Sequence, residues 1–277
     1  MDNQSSTYSW LLVLPASLVI VCCFVYPLGF SLYSGLTNEA GSLTLAHLHK
    51  AILFYGKDII FTAVIVACSI GCIVVLSVSV SAIVTLSPYK GLVNVLGTLY
   101  RIPLFIPFIV TAQMMRTFLA KNGLMNNALV EMGAMTPFET ISFLGWKGII
   151  ITFVWKQFAF ATLLIAGAMA AVEQEQIRAA RNLGASRMTI LRKVIMPQVT
   201  TTIGVAVVLS TVSIMSVLSV PMMIGTGTPT MLTADMAFRI NSYSDYPVAN
   251  ALGIISYLMT GLFSWFYLRK QMKEVRS

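Results

Sequence analysis

Arg178-Ala179-Ala180, three residues, Gly184, nine residues, then Val194-Ile195-Met196-Pro197: this stretch decides how the chain is read. It is polar and basic, yet it lies between two long apolar segments, 148–172 and 199–224. A basic loop joining two membrane spans faces the cytoplasm. Residues 176–183 can form about two helical turns, with Ala179, Ala180 and Leu183 on one side and Arg178 and Arg181 mostly elsewhere. Gly184 suits the left-handed residue that ends a helix, and Ser186 can cap a second one. On that second helix Met188, Leu191 and Ile195 recur at helical spacing, supported by Val194, with Arg187, Arg192 and Lys193 on other faces. Pro197 marks a bend before the next span. The expectation is a short helix–turn–helix at the membrane surface. It is either a docking surface for a soluble partner or an amphipathic linker anchored by its arginines to lipid phosphates.

Working outward, the 277 residues are 57% hydrophobic and 10% charged, with a mean hydropathy of +0.82. Soluble domains carry about 25% charged residues, so this chain cannot coat a water-soluble globule of its size. The net charge of +8 does not point to nucleic acid, because the basic residues cluster in short loops between apolar runs. A hydrocarbon core of roughly 30 Å needs about 20 apolar helical residues. Six segments meet this, at about 10–34, 58–86, 100–120, 148–172, 199–224 and 247–268, in one transmembrane domain covering 1–277. The predicted fold class is all-α polytopic, with six transmembrane helices. Pro103 and Pro107 interrupt the start of the third span, which membrane helices tolerate where neighbours satisfy the freed carbonyls. Residues 1–9 carry no Lys or Arg, so no cleavable signal peptide is expected and the first run reads as a retained span.

Orientation follows from the basic residues. With both termini inside, the cytoplasmic segments hold Lys90, Arg101, Arg178, Arg181, Arg187, Arg192, Lys193, Arg269, Lys270, Lys273 and Arg276. The other side holds Lys50, Lys57, Arg116, Lys121, Lys147 and Arg239. The excess predicts a cytoplasmic N- and C-terminus. Two outer segments are candidates for meeting a partner, or are plain connections. Residues 121–147 open on an Asn122-Gly123 turn, continue at helical spacing over 124–132 and reach Pro137. Residues 225–246 open Gly225-Thr226-Gly227-Thr228-Pro229 and carry Asp235, Arg239 and Asp245.

Chemistry-bearing motifs are few. No G-x-x-x-x-G-K-[ST] phosphate loop occurs, and no catalytic residue is assigned. Cys22, Cys23, Cys68 and Cys72 lie in apolar runs and are read as buried, inert thiols. No metal site is expected, since the two histidines, His47 and His49, lie in the 36–57 loop, away from the cysteines. Lys156 and Gln157 interrupt the fourth span on the order of 12 Å from its outer end. An intramembrane charge is a functional candidate, yet lysine also snorkels or takes a structural partner; both readings stay open. Ser210, Thr211, Ser213, Ser216 and Ser219 form a polar stripe on the fifth span that can line a path or join helices, and Pro221 and Gly225 loosen its outer end. Lys156, Gln157, Ser213 and Ser216 are the candidate path residues. Tyr100, Trp146, Trp155 and Trp265 read as interface anchors.

The 178–197 spacing resembles the signature loop of permease subunits of type I ATP-binding-cassette importers, E-A-A, three residues, G, nine residues, I-x-L-P. Ala179, Ala180, Gly184 and Pro197 match it, Val194 and Met196 are conservative replacements, and Arg178 stands where the acidic residue is usual, with Glu173 and Glu175 upstream. Six spans, a loop between the fourth and fifth, and the length agree. Within the family, 103–129 looks more like polyamine, ferric-iron and phosphonate permeases than the long sugar permeases. The resemblance implies a bacterial inner-membrane subunit forming half of a solute pathway. Its implied partners are the lipid bilayer, a second permease (a paralogue is preferred), a cytoplasmic ATPase dimer and an extracytoplasmic binding protein, with no nucleic acid. ATP and magnesium would sit on the ATPase, with no cofactor on this chain. The coupling residues it implies are Gln176, Arg178, Ala179, Ala180, Leu183, Gly184, Ala185 and Pro197. The competing class is a secondary transporter not driven by ATP, which would need ion-coupling carboxylates in its spans; Asp58 lies at a span edge. An intramembrane enzyme would need a paired nucleophile and base, and no such pair is evident.

Overall fold

A chain in hydrocarbon must satisfy its backbone N–H and C=O groups within itself, so long apolar runs become helices. The computed structural model describes residues 13–38 and 40–276. Among them regular structure is helical, apart from one isolated bridge between Thr37 and Leu43. In order, the helices are α1 Val13–Leu36, α2 Ala46–Leu86, α3 Lys90–Leu99, α4 Phe108–Leu119, α5 Leu124–Glu131, α6 Trp146–Ala170, α7 Gln174–Asn182, α8 Arg187–Ser216, α9 Ser219–Ile224, α10 Leu232–Tyr243 and α11 Tyr246–Arg276. The expected start of the first span at Trp10, residues 1–9 and the last residue lie outside the described residues, as do the side chains of Lys270, Lys273 and Arg276.

The described residues fall into two compact units. One holds the residues up to Gly56 with Asp235–Tyr257; the other holds Lys57–Ala234 with the residues from Leu258 onward. The core of the second unit forms where α6 packs along α8, with α4 and α9 against α6. Phe153, Ile165 and Met169 of α6 and Ile214 of α8 are fully buried. Ala161 and Ala206 belong to the same buried cluster, and Ala159 is buried too. Small residues let helices approach closely, which matters where lipid competes for every apolar surface.

Several elements differ from the sequence expectation. The second span does not begin at 58: α2 begins at Ala46, so His47 and His49 stand on a helix rather than in a loop, and Tyr55 (φ −115°, ψ 16°) breaks its regularity. The third span, expected over 100–120, is a pair of arms, Lys90–Phe105 and Phe108–Glu131, bent by 108°. The cause is Pro107. Its ring forces the preceding Ile106 into extended backbone (ψ 119°), and α4 starts afresh after it. The fifth span, expected over 199–224, stops at Ser216, with Val217 extended and α9 following. The four cysteines are exposed on the chain rather than buried, because an apolar face of a membrane helix can look out to lipid as well as in to a core. Tyr100, expected at an interface, is buried, and its hydroxyl accepts from Arg101 Nε at 3.2 Å. Trp146 and Trp265 are exposed.

Candidate functional site

The hairpin between α7 and α8 is built from local bonds. Leu183 ends α7, Gly184 takes the left-handed conformation (φ 78°), and two bonds close the turn: Gly184 N donates to Arg181 O at 2.9 Å and Ala185 N to Ala180 O at 3.0 Å. This is the Schellman arrangement that satisfies the last carbonyls of a helix. Ser186 caps α8, its hydroxyl accepting from Thr189 N at 3.2 Å. A third tie crosses the hairpin: Gln198 Nε2 donates to Gln176 Oε1 at 2.9 Å and to Val194 O at 2.7 Å, while Gln176 Nε2 donates to Glu173 Oε2 at 3.0 Å.

The buried face of the hairpin is Ile177, Ile190 and Ile195, with Ala180 and Ala185 packed against the same core. The outward face is Gln176, Arg178, Ala179, Arg181 and Leu183, and Leu183 is 88% exposed. The side expected to hold Ala179, Ala180 and Leu183 together is therefore split, with Ala180 turned inward. On the second helix the expected face of Met188, Leu191 and Ile195 is also corrected. Met188 is 55% exposed, and Ile190 and Ile195, five apart, are the buried pair. The reason is a π turn over Leu191–Ile195, in which Met196 N bonds Leu191 O. The same turn removes the expected bend at Pro197. A proline ring clashes with the carbonyl four residues back, and the wider turn lets α8 run on through it to Ser216.

Lys156 has a specific partner. Its Nζ donates to Pro103 O at 2.6 Å and to Leu104 O at 3.4 Å, and it lies 5.5 Å from the centre of the Phe108 ring. The 3-10 turn Ile102–Phe105 that supplies these carbonyls ends the first arm of the bent third span. Gln157 is buried, Ser213 half-buried and Ser216 exposed, the Ser216 hydroxyl bonding Val212 O on its own helix. Among the described residues no hydrogen bond joins Lys156 or Gln157 to Ser213 or Ser216.

Three further features were not read from the sequence. Asp58, buried, accepts the Thr230 N–H at 2.6 Å; Thr62, one turn on, accepts the Leu232 N–H at 3.1 Å. Together they fasten the connection between α9 and α10 to α2. Asn126, also buried, donates to the carbonyls of Ala120, Lys121 and Ile141 at 2.8–3.1 Å and so draws the 120–142 segment together. In the first unit Asp245 Oδ2 lies 3.0 Å from Lys50 Nζ and 3.4 Å from Arg239 NH1. Burial pushes the Asp245 carboxyl up, but Lys50, the Val248 N–H and Arg239 outweigh it and hold it below the ordinary carboxylate range. The Asp58, Thr62 and Lys50 contacts join residues 170 or more positions apart, so no local pattern announces them. Among the described residues no group of His, Cys, Asp and Glu could hold a metal ion.

With that geometry in view, the sequence profile of a family described as binding-protein-dependent transport system inner membrane component matches residues 73–269. A probable ABC transporter permease protein, y4fN of Sinorhizobium fredii, is 30% identical over 113 residues, 41% of this chain and 20% of that one. The trehalose/maltose transport system permease protein MalF of Thermococcus litoralis is 26% identical over 188 residues, 64% of this chain and 61% of that one. The trehalose transport system permease protein SugA of Mycobacterium tuberculosis is 28% identical over 214 residues, 73% and 68%. The chain thus spans a fifth of the first relative's length and 61% of the second's. A chain in the crystal structure of a bacterial ABC transporter involved in the import of the acidic polysaccharide alginate superposes with a TM-score of 0.81 at 19% identity, covering 98% of this chain and 97% of that one. One from the inward-facing MetNI methionine ABC transporter gives 0.64 at 16% identity, covering 80% and 97%. At these identities the likeness is one of fold.

Proposed function

Because this chain belongs to the family of binding-protein-dependent transport system inner membrane components, we propose that it is a permease subunit of an ATP-binding-cassette importer. It forms part of a solute path and receives its driving force from a cytoplasmic ATPase. The observation that carries this reading is the capped, outward-facing helix α7. Its inward residues Ile177 and Ala180 are packed, while Ala179 and Leu183 stand exposed with nothing of this chain against them among the described residues. A large apolar side chain held rigidly in water by a Schellman turn is suited to enter a cleft on a partner. Gln176, Arg178, Ala179, Leu183 and Gly184 then form the coupling surface. Ala180, Ala185 and Pro197 hold it in place. ATP and magnesium belong to the ATPase, and an extracytoplasmic binding protein and a second permease complete the assembly. The basic-residue excess supports a cytoplasmic side for α7 and both termini.

For the solute, the trehalose and maltose permeases and the alginate importer favour a hydroxylated, carbohydrate-type molecule over the polyamine, phosphonate or ferric iron suggested by residues 103–129. Lys156, bonded to the 3-10 turn, acts in this reading as a structural pin; Gln157, Ser213 and Ser216 remain path candidates.

The test is Leu183→Glu, alone and with Ala179→Glu. Both positions are exposed, so membrane levels should be unchanged. The ATPase retained on the purified permease should fall about tenfold or more, with loss of stimulated ATP hydrolysis. Wild-type retention and stimulation in the double variant would sink the coupling role of α7. A cysteine in place of Leu183 that an impermeant thiol reagent labels in intact cells would reverse the orientation.

A further inference from the structure

In the first unit, α1, α2, α10 and the start of α11 enclose an open cavity of about 700 Å³. Its size falls within the range of small-molecule sites. Its lining is mixed: Ser34, Asn38, Lys50, Arg239 and Asp245 stand beside the apolar faces of Phe30 and Tyr33. The cavity lies where two apolar helices end, after Leu36 and before Tyr246, so it opens at the level of the water phase.

The charges around it do not balance. Asp245 Oδ2 is shared between the Lys50 ammonium at 3.0 Å and Arg239 NH1 at 3.4 Å. Among the described lining residues that is two cations for one carboxylate. The Arg239–Asp245 contact is also long for a charge-assisted bond, which runs about 2.7–2.9 Å. Yet the guanidinium is held firmly. Its Nε donates to the Tyr55 hydroxyl, and its carbon lies 5.2 Å from the Tyr55 ring centre, 5.1 Å from that of Tyr243 and 5.9 Å from that of Phe54. Aromatic faces fix an arginine without neutralising it. Its hydrogen bonds to described residues reach only Tyr55 and Asp245, out of five N–H groups. A fixed fork with spare donors and an incomplete counter-charge is organised for an oxyanion.

We propose that this cavity is a binding site for a soluble hydroxylated anion, a small molecule carrying one carboxylate or phosphate group. Arg239 takes the oxyanion, Lys50 adds charge from the exposed side, and Asn38 and Ser34 meet hydroxyls. Asp245 competes with the ligand for both cations. The site uses none of Lys156, Gln157, Ser213 or Ser216, and it does not depend on the importer reading. A soluble ligand is favoured over a lipid because the cavity puts two cations and one carboxylate beside Ser34 and Asn38, groups that suit a small hydroxylated anion.

The test uses the full chain in phosphatidylcholine nanodiscs, with glucuronate as probe and glucose as its uncharged counterpart, read by calorimetry. Glucuronate should bind and glucose should not. Lys50→Gln, at a position whose side chain is 45% exposed, should weaken glucuronate about fivefold. Arg239→Gln should weaken it about a hundredfold. Asp245→Asn should tighten it about threefold, because a competing charge is removed; a purely structural ion cluster would not produce that gain. Equal response to glucuronate and glucose, or weaker binding in Asp245→Asn together with no change in Lys50→Gln, overturns the proposal. So does binding that vanishes in phosphatidylglycerol nanodiscs, which would assign the cavity to a lipid headgroup.

Discussion

The turn between α7 and α8 is closed by bonds that reach three to five residues along the chain, whereas the bend between α3 and α4 is held by a lysine 53 residues away. The first is self-sufficient. Gly184, Ser186 and the small residues around them specify it wherever the helices happen to sit. The second draws on α6, because beyond the long Ile106 N–H bond to Pro103 O at 3.4 Å the two carbonyls next to the proline break take their donor from Lys156. The connection at Thr230 is more remote still, with its anchor Asp58 172 residues back. Local closure suits a surface that must keep its shape while a partner comes and goes. Remote closure suits elements that must know where the other helices are.

This contrast can be broken by substitution. The largest effect is expected at Asp58. Asp58→Ala leaves the half-buried Thr230 N–H without its acceptor, which costs about 1–3 kcal/mol. The melting temperature in detergent should drop, and protease should cut within 225–231, while ATPase retention at α7 stays normal. A stable variant with an uncut loop would mean that the remote anchor is dispensable. Next comes Lys156→Met, which strips the donor from Pro103 and Leu104 carbonyls and should cost about 1–2 kcal/mol. The same melting experiment decides its role. Unchanged stability combined with lost uptake would return Lys156 to the solute path and remove it from the comparison. The smallest effect is expected at Gly184. No atom lies within 4 Å of where its Cβ would stand, so Gly184→Ala brings no clash and costs about 1 kcal/mol from its left-handed backbone. Coupling should persist in part. Complete loss of ATPase retention in that variant would show that the partner itself packs against the glycine.

The same distinction explains what could be read in advance. The hairpin's helices, its glycine and its serine cap were legible because their signals lie within about one turn of the residues they organise. So were the apolar runs behind most of the spans. The break after Ile106 was half-legible: the prolines marked an interruption but not an angle of 108°. Asp58 could not be read, since a carboxylate at the edge of an apolar run looks the same whether it meets water or a backbone N–H from a distant loop. Arg239 and Lys50 were legible as charges on one side of the membrane, not as neighbours of one carboxylate. The burial of Ile190 with Ile195 was misread for another reason, an uncounted π turn that changed the spacing of the buried positions, while Ala180 turns inward with Ile177, three residues before it.

That turn has a consequence for which changes the chain can absorb. Each residue in a regular helix advances the facing direction by about 100°, and Leu191–Ile195 slips the phase by one residue without ending the helix. Everything before it, including the capped turn and α7, is clocked against the span that follows. Exchanging side chains within 191–195 leaves that clock untouched. Inserting a single residue there would swing the α7 surface by roughly a quarter of a revolution about the α8 axis, whereas deleting one would restore ordinary winding and leave that direction nearly unchanged. The nine-residue interval between Gly184 and Val194 is in this sense an angular setting, and it should be far less forgiving of an added residue than of changed letters.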